Sequence, residues 1–152
     1  MSQKYMKVER IEHGTVIDHI LPSKAFDVLG VLDLSHDKTM SILVNSHSKK
    51  GGKKDILKFE NVELTPGEAN LVALVSPQAT INIIVGGKVV RKFNAEAPKV
   101  VRGILSCSNP NCISNQNEPI TSEFILGADE DHRYVCSYCE RDLDDLAKHI
   151  SS

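Results

Sequence analysis

The sequence predicts an α+β chain built as two modules, and three observations carry that prediction. Period-two and helical patterns alternate through the first hundred or so residues and place two short helices among five strands. All four cysteines, Cys107, Cys112, Cys136 and Cys139, lie in the last third of the chain. Between these regions NAEAPKV, residues 94–100, is small, polar and broken by Pro98. The modules are therefore expected at residues 1–97 and 98–152.

The first module opens with VERIEHGTVIDHI, residues 8–20, which reads as one strand. Ser23 is placed to cap a short helix whose apolar stripe is Ala25, Val28, Leu29 and Leu32. TMSILVNS, residues 39–46, reads as the second strand, and the basic SKKGGKK, residues 48–54, as a turn. DILKFENVEL, residues 55–64, alternates as a third strand. TPGEANLVALV then starts a helix with Thr65 as N-cap, Pro66 in the first turn and Glu68 closing a capping box. ATINIIV and KVVRKF flank Gly86-Gly87, a two-residue hairpin signal. Strand, helix, strand, strand, helix, hairpin is the order of a ferredoxin-like antiparallel sheet with two helices on one face. The other face is left open for a ligand or partner.

Strand parity selects residues for that open face. Val16 and Asp18 share one side of the first strand, opposite Ile17. On the third strand Ile56 and Lys58 share a side, opposite the core candidates Leu57 and Phe59. Val16, Asp18, Ile56 and Lys58 can thus form a polar and aliphatic surface. A solvated face or a structural ion pair is the plainer reading of the same charges.

In the second module CSNPNC sets Cys107 and Cys112 five positions apart, and CSYC sets Cys136 and Cys139 three apart. Two short pairs with 23 residues between them have the spacing of two metal knuckles. Four thiolates leave no open coordination position, so the metal is expected to be one structural zinc per chain. Iron would use the same ligands, and CSYC alone could be a redox dithiol. His132 lies near the second pair but is read as a surface residue, because four cysteines complete a shell. VVRGILS, ITSEFIL and RYVCS read as strands, and Leu143, Leu146, Ala147 and Ile150 have the spacing of a short terminal helix. So small a β-rich module needs its metal to fold.

Composition limits the function classes. A formal charge of −2 gives no general reason to expect a nucleic acid or a membrane as partner. No apolar run approaches the roughly 18 residues of a membrane span. The start, MSQKYMKVER, has no apolar signal core, so a cytoplasmic location is expected, where disulfides are rare.

VERIEHGTVIDHI, KKDILKFEN, SPQATIN, CSNPNCISNQNEP and YVCSYCE follow one another in this order. In these markers the chain closely resembles the regulatory chains of aspartate carbamoyltransferase, nearly end to end. The resemblance implies a non-catalytic subunit. Its first domain would bind nucleotide effectors (CTP, ATP, UTP) and pair with a second regulatory chain. Its zinc domain would dock on the catalytic chain, which joins carbamoyl phosphate to aspartate in pyrimidine biosynthesis. Two catalytic trimers and three regulatory dimers would make the assembly. The resemblance also implies site residues: Asp18 near the ribose, His19 beside the nucleotide, Lys58 near ribose and phosphates, and Lys92 at the triphosphate. Ile11, Asn82, Ile84 and Val89 would surround base and sugar, with Val16 and Ile56 as apolar walls. Gly87 falls where some relatives carry a larger side chain against the nucleotide. A zinc-dependent nucleic-acid-binding protein is the runner-up reading, and a dithiol redox enzyme the third.

Overall fold

The protein is described by a computed structural model covering residues 11–32, 38–49, 51–117, 119–128 and 133–150. Residues 8–10 of the expected first strand and His132 lie outside the described residues. The first sheet has five strands, β1 (Gly14–Ile20), β2 (Met40–His47), β3 (Lys53–Glu60), β4 (Thr80–Val85) and β5 (Lys88–Asn94). Their spatial order is β2-β3-β1-β4-β5, every neighbouring pair antiparallel. Two helices, α1 (Ala25–Val31) and α2 (Pro66–Val72), complete the ferredoxin-like arrangement. Alternation sends Ile17, Leu57, Phe59, Ile81 and Ile83 to one face, where they pack with Ala25 and Val28 of α1 and Ala69 and Val72 of α2. The opposite face carries neither of these helices.

Two irregularities bend this sheet. Residues 11–13 do not join β1, so the first strand is shorter than the sequence pattern suggests. The β1–β3 register then slips between Ile17 and Ile20, with His19 in the left-handed region at φ 58°. This bulge returns Ile20 to the core, fully buried, where strict alternation would have set it beside Asp18 and Val16. A second slip, between Leu43 and Ser46 of β2, places Asn45 at φ 57°.

Asp55, fully buried at the start of β3, connects both regions. Its Oδ2 accepts the Ala25 N–H at 3.0 Å, and its Oδ1 accepts the Asn45 N–H at 2.8 Å. The first helix therefore begins on a carboxylate from another strand. Ser23, expected to cap it, instead sits at φ 67° with its hydroxyl 3.4 Å from Asn45 Oδ1; the N-cap position falls to Lys24, whose side chain makes no cap bond. A turn residue in the left-handed region cannot supply N-cap geometry, which needs extended backbone. The second helix starts as its sequence predicts. Thr65 Oγ1 accepts the Glu68 N–H at 3.2 Å, and Glu68 Oε1 accepts the Thr65 N–H at 3.0 Å. Gly86 and Gly87, at φ 61° and 76°, make the tight β4–β5 turn.

The second sheet has the order β6 (Val100–Arg102), β7 (Glu123–Leu126), β8 (Tyr134–Cys136) and β9 (Asp142–Leu143). The Tyr134 hydroxyl donates to the Pro98 carbonyl at 2.5 Å and ties the connecting segment to this sheet. The expected terminal helix is replaced by a strand and a 3-10 turn. Leu143 is buried in β9 against Tyr134, Leu146–His149 make the turn, and Ile150 bridges to Leu105. The helical spacing is thus shared among three separate contacts, and the run between them is too short to propagate a helix. Two clusters of buried side chains result. Leu74, in the turn after α2, belongs to the second, and Leu71 and Ile150 pack against both.

Asp55→Ala removes the acceptor for two backbone N–H groups at once. It should destabilise the chain by about 2–4 kcal/mol. Urea denaturation measures the loss. Amide exchange should quicken first at Ala25 and Asn45, and unchanged exchange there would show that Asp55 does not hold these two ends.

Candidate functional site

The register of the first sheet arranges its open face in three cross-strand rows. Lys58 lies opposite Val16, Val16 opposite Asn82, and Asn82 opposite Lys92, so the middle row crosses four strands. Asn82 Nδ2 donates to the Val16 carbonyl at 3.2 Å, which fixes this amide within the row. On one side, Asp18 pairs with Thr80 and Thr80 with Asn94. On the other, Glu60 faces Gly14, Gly14 faces Ile84 and Ile84 faces Val89. The last pairing exists because the β4–β5 register slips after Ile83, which skips Val90 and sets Val89 opposite Ile84.

The first of these outer rows runs into a cavity of about 640 Å³ at the sheet end, lined in part by His19, Pro22, Lys53, Lys54, Thr80 and Lys92. Three lysines gather there, of which Lys53 and Lys92 make no ion pair among the described residues. The nearby Asp18 carboxylate is already neutralised: Lys54 Nζ lies 3.0 and 3.2 Å from its two oxygens. Side-chain exposures of 17% and 25% place this pair out of full solvent, so salt screens it less than a surface ion pair. Asp18 Oδ1 also accepts the His19 N–H at 2.7 Å. The His19 ring, turned out by the bulge, stands 3.3 Å from Thr80 Oγ1 and 4.0 Å from Asp18.

The sequence-selected residues fall into distinct places. His19 and Lys92 line the cavity, and Asp18 meets it through Lys54. Val16, Lys58 and Asn82 share the middle row with Lys92, and Ile56 lies between Lys54 and Lys58 on β3. Ile84 and Val89 form a pair at the far end, where Ile84 also lines a second cavity of about 250 Å³. Ile11 is buried just before Glu12 and His13. The Glu12 carbonyl accepts the Gly87 N–H at 2.9 Å, and His13 Nδ1 accepts the Gly86 N–H at 3.3 Å. Sequence reasoning misses Lys54, Thr80 and Asn94. Lys54 has a usable signal, being two residues before Ile56 on the same strand side, but the SKKGGKK stretch reads as a turn. Thr80 and Asn94 have no signal apart from the pairing of β4 with its neighbours.

The four cysteine sulfurs lie within 4.8 Å of one another. Cys107 and Cys139 are separated by 3.4 Å and Cys112 and Cys136 by 3.7 Å. A disulfide needs about 2.05 Å, whereas bonds of about 2.3 Å to a tetrahedral ion imply sulfur separations of about 3.8 Å. The donor set therefore fits a metal ion. CSYC is not an isolated dithiol, since each of its sulfurs faces one from the first pair.

Two turns shape the cluster. In the first, the Asn109 N–H points at Cys107 Sγ at 3.4 Å, and Asn115 Nδ2 holds the carbonyls of Cys107 and Asn109 at 2.9 and 2.7 Å. In the second, the Glu140 N–H reaches the Cys136 carbonyl at 2.9 Å, with Glu140 at φ 64°. Burial pushes the Cys107 thiol up to about 12 and raises Cys136 as well. Burial acts the same way on Cys112, but hydrogen bonds from Ser114 outweigh it and bring that thiol to about 7. Burial is likewise overcome at Cys139, chiefly by the Arg141 backbone N–H, and its pKa is lowered. One thiol of each pair is thus set to ionise first, and a bound cation would favour the thiolate at the other two.

Comparison with known proteins identifies two family domains along the chain. Residues 6–96 match the family described as aspartate carbamoyltransferase regulatory chain, allosteric domain, and residues 99–147 match its metal binding domain. The chain is 47% identical over 148 residues to the aspartate carbamoyltransferase regulatory chain of Pyrobaculum arsenaticum, covering 94% of this chain and 98% of the relative. It is 45% identical over 141 residues to that of Methanococcus maripaludis strain C5, covering 93% and 95%. For Methanococcus aeolicus the identity is 46% over 141 residues, covering 93% and 90%. Two family domains in the matching order and this identity along almost the whole length make the chain a member of the aspartate carbamoyltransferase regulatory chain family.

Proposed function

We propose that this chain is a non-catalytic subunit that binds nucleoside triphosphates (CTP, ATP and UTP) on the open face of its first sheet. In that role it controls an aspartate carbamoyltransferase catalytic chain in cytoplasmic pyrimidine biosynthesis. The observation that carries the reading is the row of Lys58, Val16, Asn82 and Lys92, which ends at a cavity with three lysines. A triphosphate needs several cations; Lys53 and Lys92 supply point charges, and Lys54 stands beside them paired with Asp18. Lys58 and Asp18 flank the position of the ribose, whose hydroxyls can donate to a carboxylate. The apolar pair of Ile84 and Val89 then lies where the base would rest. None of the residues in the three rows is aromatic, which counts against a single-stranded nucleic acid stacking on this face.

Residues 1–97 act in this reading as the effector domain and residues 98–152 as the domain that docks on the catalytic chain. Cys107, Cys112, Cys136 and Cys139 hold one structural zinc, which supplies folding free energy and no reaction chemistry. Two regulatory chains pair through their first domains, and three such dimers join two catalytic trimers. Effectors act by binding one quaternary state more tightly than another. Leu71 and Ile150, packed against both clusters, are the side chains through which one domain feels the other.

Lys92→Ala should weaken CTP by about 1.5–3 kcal/mol while changing cytidine little, as expected for a charge-assisted phosphate contact. Isothermal calorimetry with both ligands tests this. Equal losses for nucleotide and nucleoside would remove Lys92 from the phosphates.

Removing the metal with a mercurial and a chelator should unfold the second sheet and release the chain from its catalytic partner. The first sheet should persist, because none of its described core residues is a cysteine. The change in tyrosine emission from a chain whose Tyr134 and Tyr138 are intact, compared with their Phe variants, reports the second sheet, and CTP binding reports the first. Metal content should also fall as pH falls, since protons compete with the ion for the thiolates. A complex that stays assembled and nucleotide-responsive after verified metal loss would overturn the structural role.

A further inference from the structure

We infer that Glu12 selects the base: its carboxylate accepts a hydrogen bond from an exocyclic amino group, favouring adenine and cytosine over uracil. The inference rests on the nucleotide reading above and adds a specificity residue to that site. The open face has a direction. Lys53, Lys54 and Lys92 gather at one end, and the pair of Ile84 and Val89 lies at the other, beyond the pair of Asn82 and Lys92. A ligand with an anionic end and a flat, weakly polar end therefore has one favourable orientation. Its flat end meets Ile84 and Val89, next to the Gly86-Gly87 turn.

That turn is where Glu12 is held. Its backbone carbonyl accepts the Gly87 N–H at 2.9 Å, and the neighbouring His13 ring accepts from Gly86, so the segment is fixed to the turn at two points. The Glu12 carboxylate oxygens lie 3.5 and 3.6 Å from where a side chain on Gly87 would begin. Gly87 carries none, so no side chain at that position covers the carboxylate. Glu12 is exposed and has no ion-pair partner among the described residues. Asp18, by contrast, is ion-paired with Lys54 at the cationic end.

A carboxylate is an acceptor only. Cytosine presents an amino group at its 4-position and adenine one at its 6-position, and both can donate to it. Uracil presents a carbonyl oxygen at its 4-position, which a carboxylate repels. Glutamine in place of glutamate offers both an acceptor and a donor, so it should accept either kind of base edge.

The test measures binding of ATP, CTP, UTP and inorganic triphosphate to the full chain and to its Glu12→Gln and Glu12→Ala variants. The unaltered chain should favour CTP over UTP, and Glu12→Gln should reduce that ratio by about tenfold, the scale of one base-edge contact. Inorganic triphosphate should bind all three proteins alike. Nucleotide binding with the CTP-to-UTP ratio unchanged in both variants would overturn the role of Glu12. So would an equal loss for all ligands, which would mark a structural residue. Absence of any nucleotide binding to the unaltered chain would instead overturn the effector reading itself.

Discussion

One buried carboxylate organises the cavity end of the first sheet. Asp55 sits in the core face of β3, where alternation would favour an apolar side chain, and a charge there is tolerable only with strong donors. It has two, from α1 and from the slip in β2. Satisfying them fixes where α1 begins, and so fixes the preceding segment through Leu21 and Pro22, which line the cavity. The Leu21 N–H is held in turn by the buried Ser76 hydroxyl at 3.1 Å. Asp55 also directly follows Lys53 and Lys54, so the acid that anchors the strand stations two of the cavity's cations.

What is legible in the sequence follows from what is periodic. Period two places Val16, Asp18, Ile56 and Lys58 on the half-buried side of their strands, and β1–β3 pairing sets Val16 opposite Lys58. The capping box of α2 and the Gly86-Gly87 turn are local and can be read locally. The bulge at His19 cannot, because a histidine in the left-handed region is uncommon and no glycine or proline adjoins it. The acceptor at the start of α1 is hidden for a different reason: it lies 30 residues away from the N–H it serves, whereas a sequence cap is sought next door. Serine at position 23 suits a cap by type, but its backbone is committed to the turn. The terminal leucines mislead similarly, since burial at helical spacing arises from contacts with β8, the 3-10 turn and Leu105.

The second module shows why spacing of cysteines says more than spacing of leucines. Three of the nine buried residues in its described core are Cys107, Cys112 and Cys136, and another member, Leu74, comes from the other side of Pro98. Little apolar surface is left to hold four short strands together. The chemistry of the pairs is readable directly because the spacing itself sets the ligand geometry: each short loop can point two sulfurs at one ion. The turns are also foreshadowed by the asparagines in and after the CSNPNC run, whose side chains close the first knuckle through Asn109 and Asn115.

The two cores meet, and the place of meeting constrains how a ligand on one sheet can affect the other. α2 lies beneath the first sheet with Ala69 and Val72; its last turn gives Leu71 to both clusters, and the turn after it gives Leu74 to the second. Ile150 reaches the same junction from the far end of the chain, bridged to Leu105. Close-packed side chains cannot yield by small amounts at one face without their neighbours moving. A change in twist between β1 and β4, the strands that carry Val16 and Asn82, would displace the buried residues on their reverse sides, Ile17, Ile81 and Ile83, which pack in the same cluster as α2. From there the path to the metal-holding sheet needs no element beyond Leu71, Leu74 and Ile150. The open face is thus joined to the second core by packing alone, and a ligand that favoured one sheet geometry would bias the setting of the other sheet.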